Sequence, residues 1–278
     1  MVEAFIASVG YAGGVIVDKI TLARYKVPIN RFVTLLFVLL ALLTAVFLPK
    51  WGNFPLHFDW RFFLLFAGMI AVAVIWNLLY YRGISKEELH EFELIMLLSP
   101  LMTIIFAGIF LPDERNLPVF IAGLLASLTF VFSRFKKHHL LLSKVAKGTL
   151  LAMLLLSFES ILIKLLLGYL TPVTLYFTRT LVIAIVFSIL YRPSVLKMQK
   201  EAFALIVISA IFGIMNMVLK FYGFQSLGVV ETTMVLLLGP IFVYLFSYFF
   251  FQEKKFFAKD AISAGVIVLC IIYATFWK

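Results

Sequence analysis

The chain has 278 residues, of which 64% are hydrophobic and only 14% are charged, and its formal net charge is +10. A soluble domain carries roughly 25% charged residues. This composition therefore excludes a soluble protein and predicts an all-α polytopic membrane protein. A single cysteine, Cys270, excludes an internal disulfide and a multi-cysteine metal site. We predict no metal or cofactor, and we assign the positive charge to loops facing anionic membrane lipid rather than to nucleic acid.

Ten apolar runs are long enough to cross a bilayer, which takes about 20 helical residues. They are 5–22, 31–48, 62–81, 92–111, 117–132, 149–168, 172–191, 203–222, 231–251 and 258–276. The first run lacks a basic start and a cleavage site, so we interpret it as a spanning helix rather than a signal peptide.

The fourth and ninth runs resemble each other at an offset of 140 residues. Leu-Leu-Ser-Pro, ending at Pro100, returns as Leu-Leu-Gly-Pro, ending at Pro240, and Glu91 matches Glu231. A period this long in an apolar chain indicates a duplicated membrane domain rather than a solenoid.

The duplication divides the chain into two halves. We predict a first five-helix repeat over 1–133, a basic connecting loop over 134–148 and a second five-helix repeat over 149–278. Because five is an odd number, the second repeat enters the membrane the other way up. Such an inverted repeat is the arrangement that supports alternating access.

Basic residues are distributed unevenly between the two predicted faces of the membrane. Connections 1–2, 3–4, 5–6, 7–8 and 9–10 together carry sixteen lysines and arginines, whereas the opposite face carries four. The positive-inside rule therefore predicts a multi-pass protein of the plasma (inner) membrane with both termini outside.

Several motifs along the chain together resemble one known family. Mid-helix prolines in the fourth and ninth spans and an acidic–basic hairpin at Asp113, Glu114 and Arg115 resemble the EamA-type transporters of the drug/metabolite transporter superfamily. Arg179, seven residues after Pro172, resembles a basic residue that the family often carries in the second helix of each half. The family's Trp-Gly opening of the first helix is missing here. The resemblance covers the whole chain and implies a ten-helix secondary transporter with a central cavity between the halves.

Pro100 and Pro240 are the two prolines in the middle of a span. A proline removes one backbone hydrogen bond and kinks its helix. Kinks at equivalent places in both halves predict a pair of gating helices, and the alternative is a passive packing kink.

Charges inside the spans normally face a cavity or a partner. We predict Glu159, in the sixth span, as the functional acid, because a carboxyl group in a cavity of low dielectric suits exchange of a proton for a cationic substrate. Small multidrug exporters of the same superfamily use a first-helix glutamate in this way. The alternative is a structural ion pair of Glu159 with Arg179 or Lys164.

Other side chains in the spans are candidates for substrate binding. Lys164 and Arg179 suit an anionic group, although a lysine at a helix end also snorkels to the interface. Asn77 and Asn216 occupy nearly equivalent positions and could bond a ligand or each other. Aromatic side chains that could line the pocket include Trp76, Tyr80, Tyr176 and Tyr244.

Gly10 and Gly14 form a GxxxG pattern in the first span. This pattern permits close helix packing, either within a monomer or between the protomers of a homodimer. The sequence leaves both arrangements open.

These features predict a secondary active transporter that moves a small metabolite, an amino acid or a related amphipathic compound, by export and with protons as a candidate coupling ion. No nucleotide-binding motif is present, so we expect an ion gradient, an exchange partner or the substrate's own gradient to drive it. One alternative is an uptake or exchange carrier for an anionic metabolite. A remote alternative is a membrane-embedded lipid-handling enzyme, but no catalytic constellation lies in the spans, and we predict no enzyme.

Overall fold

The computed structural model describes residues 1–55, 59–87, 92, 95–96, 98–134, 144–192, 198–251 and 258–276. Its helices are α1 Val2–Lys19, α2 Ile29–Ala45, α3 Leu48–Trp51, α4 Trp60–Lys86, α5 Leu98–Phe110, α6 Leu117–Arg134, α7 Lys144–Leu166, α8 Pro172–Tyr191, α9 Lys200–Ser226, α10 Val229–Leu236, α11 Leu238–Phe251 and α12 Ala258–Phe276. Within these described residues the chain is all-α, as its composition predicts. Most of the predicted connecting loop 134–148 lies outside them.

The helices are those of a multi-pass membrane protein. Five stretches are long and apolar enough to cross a bilayer: Val2–Arg24, Trp60–Lys86, Lys144–Leu166, Pro172–Tyr191 and Lys200–Ser226. Four shorter apolar stretches accompany them: Ile29–Ala45, Leu98–Phe110, Leu117–Thr129 and Val229–Val243, the last of which includes the break between α10 and α11. Large apolar side chains such as Leu42, Leu64 and Ile189 are exposed on the outer surface. That exposure suits lipid and would be unfavourable in water.

Local chemistry explains several helix ends. Asp59 caps α4 by accepting a hydrogen bond of 2.9 Å from the backbone N–H of Phe62. Pro172 stands at the first position of α8, where its missing N–H is not needed, and Thr171 caps the same helix. Arg192 takes a left-handed conformation at φ 41° and ends α8. The bounds of α8 therefore coincide with the predicted run 172–191.

The predicted ninth span, 231–251, is interrupted rather than continuous. The structure divides it at Leu237 into α10 and α11. Pro240 is the third residue of α11 and has no N–H to donate to the carbonyl of Leu236, one turn earlier. The break therefore lies where the sequence predicts a kink.

The most extensive helix contacts join the two halves of the chain. Helix α1 packs against α9 and α11, α4 against α7, α2 against α8, α5 against α7, and α6 against α12. Each of these pairs takes one helix from before the loop at 134–148 and one from after it. The helices of the two halves therefore pack against each other and form one shared interior.

The close contact of α1 and α9 explains the GxxxG pattern. A Cβ atom added at Gly10 would lie 2.8 Å from the backbone nitrogen of Asn216, and one at Gly14 would lie 3.7 Å from Cβ of Phe212. The two glycines therefore bring α1 against α9 inside one chain, which is the first of the two arrangements that the sequence permits.

We expect Gly10→Ala to lower the thermal unfolding temperature of the purified protein, because its Cβ would push against the backbone of α9. Overpacking of this kind typically destabilises by about 1–3 kcal/mol. Gly68→Ala is the matched control, since the nearest atom to its added Cβ is a Leu162 methyl carbon at 4.0 Å. Equal melting temperatures for the two variants would contradict this account of the packing.

Candidate functional site

A cavity lies between the helices of the two halves and is lined mainly by apolar and aromatic side chains. Most of the residues that the sequence singles out lie on its wall. These are Trp76, Asn77, Tyr80, Pro100, Tyr176, Arg179, Asn216 and Pro240. Tyr244 belongs to α11, but its side chain lies outside the described part of the structure.

A buried ion pair stands beside this cavity. Nε of Arg179 donates to Oε1 of Glu159 at 2.7 Å, and the indole Nε1 of Trp76 donates to Oε2 of the same carboxylate at 2.7 Å. Glu159 is 0% exposed and Arg179 is 2% exposed. Both oxygens of Glu159 are thus occupied, and the side chain is absent from the cavity wall. This geometry is that of the ion pair with Arg179 that the sequence leaves open.

Arg179 has donor capacity left over. Among the described residues its buried Nη2 atom has no hydrogen-bond partner, although the side chain lines the cavity. The centre of the guanidinium also lies 6.0 Å from the ring of Trp76, which is within cation–π range. A buried donor without a partner is costly, so an acceptor bound beside Arg179 would relieve that cost.

Lys220 adds a second positive charge to the wall. Its Nζ lies 3.3 Å from Oγ of Ser160 and 5.1 Å from the ring centre of Phe224. Since Ser160 adjoins Glu159 on α7, Lys220 and Arg179 lie on the same side of the cavity. A lysine near the end of a span normally snorkels to the interface, but the structure places Lys220 on the cavity wall.

Lys164 does not line the cavity. Its Nζ donates to the carbonyl of Phe224 at 2.6 Å and lies 3.6 Å from Oε1 of Glu114. Glu114 in turn accepts a hydrogen bond of 2.8 Å from the backbone N–H of Val229 at the start of α10. Lys164 therefore joins the end of α9 to the α5–α6 connection instead of facing the cavity with Arg179.

The two candidate asparagines share the cavity wall. Nδ2 of Asn77 donates to the carbonyl of Ala73 on its own helix at 2.8 Å. Asn216 is half-buried on α9. Tyr80 packs edge-on against Trp76 and Tyr81, with ring centres 5.8 Å and 5.1 Å apart. The asparagines thus bring amide groups to a wall that aromatic rings otherwise dominate.

The main residue that sequence reasoning missed is Asp18. Its carboxylate is 5% exposed, lines the cavity and accepts a short hydrogen bond from Oγ of Ser209 on α9. The sequence placed it at the end of the first span, next to Lys19. Its helical spacing could have revealed it, because Tyr11, Gly14 and Asp18 recur at the intervals of one helix face, and all three line the cavity.

The described residues contain no group of three or more histidine, cysteine, aspartate or glutamate side chains that could hold a metal ion. The chemistry of the wall is that of reversible binding through charge, hydrogen bonds and aromatic contact.

We expect Glu159→Gln and Arg179→Met each to lower the unfolding temperature strongly, since removal of one partner of a buried ion pair costs about 3–5 kcal/mol. The double variant removes both charges together and is expected to be less destabilised than the sum of the single variants. Thermal unfolding of the three purified proteins measures this coupling. Strict additivity would show that the two charges do not stabilise each other.

The sequence matches the EamA-like transporter family in two stretches, residues 1–135 and 144–276. No curated protein matches the chain. One crystal structure shares its fold with a TM-score of 0.74, over 99% of this chain and 96% of that one, at 15% sequence identity. The family match spans nearly the whole chain and agrees with the family that the proline and hairpin motifs resemble. The chain therefore belongs to the EamA-like transporter family of the drug/metabolite transporter superfamily, and it is a membrane transporter rather than an enzyme.

Proposed function

We propose that the chain is a secondary active transporter that exports a small metabolite, an amino acid or a related amphipathic compound, by alternating access. The observation that carries this proposal is the cavity between the halves, on whose wall Arg179 holds an unpartnered guanidinium nitrogen. Such a group binds a carboxylate. The surrounding aromatic rings suit the apolar part of an amphipathic molecule.

The proposed architecture is ten spans in two inverted five-helix repeats, 1–133 and 149–278. The helix contacts support it. In this division α1 corresponds to α7, α4 to α9 and α5 to α11. The α1–α9 contact then corresponds to the α7–α4 contact, and the α1–α11 contact corresponds to the α7–α5 contact. The contacts α2–α8 and α6–α12 map onto themselves. The two stretches of the family match support the same division.

A repeated lysine contact gives further support to the duplication. Nζ of Lys19, near the end of α1, donates to the carbonyl of Ile84 at 2.9 Å. Nζ of Lys164, near the end of α7, donates to the carbonyl of Phe224 at 2.6 Å. Ile84 and Phe224 are 140 residues apart, which is the offset of the repeat. In each half, a lysine on the first helix thus bonds a carbonyl near the end of the third.

For transport we expect sealed proteoliposomes to move members of an amino-acid and organic-acid panel, and Arg179→Lys to reduce the flux at least tenfold. Lysine lacks the planar fork that lets Arg179 hold Glu159 through Nε while Nη2 stays free. Arg61→Lys, an exposed substitution at the start of α4, is the control and should transport normally. Normal flux through a folded Arg179→Lys protein would contradict the assigned role.

Two further points are settled by the same flux measurement. The alternative function, uptake or exchange of an anionic metabolite, draws on Arg179 and Lys220, and it predicts that dianions outcompete amino acids.

Proton coupling predicts that flux responds to an imposed pH gradient. If Glu159→Gln keeps that response, Glu159 is not the proton carrier, and its role is to position Arg179.

For topology we propose a multi-pass protein of the plasma membrane with the α1–α2 connection inside and both termini outside. In a Cys270→Ala background, a membrane-impermeant maleimide should label Lys50→Cys on intact cells but reach Arg24→Cys only after permeabilisation. Both positions are exposed and lie at opposite ends of α2. Labelling of Arg24→Cys on intact cells would overturn the orientation.

A further inference from the structure

The cavity carries opposite charges at two separate places on its wall. Arg179 and Lys220 form a basic end, and Asp18 with Ser209 forms an acidic end. Among the described residues, the charged side chains that line the cavity are Asp18, Arg179 and Lys220. Their arrangement restricts the shape and charge of the molecule that fits between them.

The basic end has an excess of positive charge. Glu159 balances Arg179 through the 2.7 Å contact to Nε, which leaves the charge of Lys220 unbalanced. Lys220 has a neutral hydroxyl, that of Ser160, as its hydrogen-bond partner. The unpartnered Nη2 of Arg179 also lacks an acceptor, which a buried guanidinium nitrogen needs. An anionic group bound here would meet both needs.

The acidic end lacks a positively charged partner. Asp18 is 95% buried, and its partner is the hydroxyl group of Ser209, with no lysine or arginine of the described chain in an ion pair with it. A hydroxyl group donates one hydrogen bond and leaves the negative charge uncompensated. Buried carboxylates are normally paired with a cation. A cationic group of a ligand would complete the pairing.

Positions on α9 mark the separation of the two ends along the cavity. Ser209 and Lys220 both belong to α9 and are eleven residues apart, which corresponds to roughly 16 Å between their Cα atoms at the rise of an α-helix. The ammonium and carboxylate of a simple α-amino acid are attached to one carbon atom and lie close together. A molecule whose charges stand at opposite ends of a flexible methylene chain matches two separated ends better.

We propose that the cavity binds elongated substrates with a carboxylate at one end and an ammonium or guanidinium group at the other, with the carboxylate at Arg179 and the remote cation at Asp18. Basic amino acids and ω-amino acids belong to this class. The proposal rests on the transport function argued above and specifies its substrate. Tyr11 and Tyr80, on the wall between the two ends, offer aromatic faces to the methylene chain.

Pairs of ligands that differ only in the remote charge test the proposal on the unmodified protein. Titration calorimetry in detergent should show 6-aminohexanoate binding at least about tenfold more tightly than hexanoate, and lysine more tightly than norleucine, because the remote cation adds a charge-assisted hydrogen bond to Asp18. Equal affinities within both pairs would overturn the proposal, whatever the behaviour of any variant.

A variant pair assigns the preference to Asp18. Asp18→Asn keeps the size of the side chain and an oxygen acceptor for Ser209, but it removes the charge, so both preferences should disappear while hexanoate and norleucine bind as before. Glu201→Gln, exposed in the first turn of α9, should keep both preferences. An Asp18→Asn protein that still prefers lysine would contradict the assignment.

Flux in proteoliposomes separates failure of this inference from failure of the proposed function. Transport of norleucine without any preference for lysine would leave the transporter in place and remove the role of Asp18. Absence of flux for the entire panel, with the ligand preferences intact, would leave the binding site in place and remove the transport proposal.

Discussion

The pairing of Arg179 with Glu159 is the contact on which the interior of this protein depends. A guanidinium group cannot lose its proton in a protein, so its charge must be balanced where it stands. The carboxylate of Glu159 on α7 balances it, and the indole of Trp76 on α4 holds the second carboxylate oxygen. The contact therefore joins α4, α7 and α8 and fixes the direction in which the guanidinium faces the cavity.

The same arrangement separates structural from binding roles among the charged residues. Glu159 has no exposed surface, and both of its carboxylate oxygens accept hydrogen bonds, so in this structure it holds Arg179. Arg179 and Lys220 keep donor groups on the cavity wall, and Asp18 keeps a charge there. A polar group that the protein itself satisfies stabilises the fold. A polar group that the protein leaves unsatisfied on the cavity wall is a candidate for ligand binding.

The sequence predicts the helices well because the bilayer imposes a simple rule on length and polarity. In hydrocarbon every backbone group must be bonded within the chain, so each apolar run of about 20 residues must be helical. The run 172–191 accordingly becomes α8 with the same bounds. The rule fails where a local residue overrides it, as at Pro240, whose missing N–H divides the span 231–251.

The candidate site was predicted less completely, because a sequence shows which residues are polar but not which of them face one another. Arg179 was identified since a charge in the middle of a span needs a partner. Asp18 was missed because it stands one residue before Lys19 near the end of a helix, where a charge normally reaches the interface. Its burial comes from Ser209, whose helix lies in the other half of the chain.

The two halves agree in their framework and differ in their charges. Lys19 and Lys164 make equivalent contacts with Ile84 and Phe224, and these contacts keep the first and third helices of each half together. Asp18 has no acidic counterpart at the equivalent place in the second half, where the residue before Lys164 is Ile163. With the proposed duplication, the two halves supply a matching framework, and divergence of a few residues within it supplies an asymmetric cavity. An asymmetric cavity is required to bind a molecule whose own two ends differ in charge.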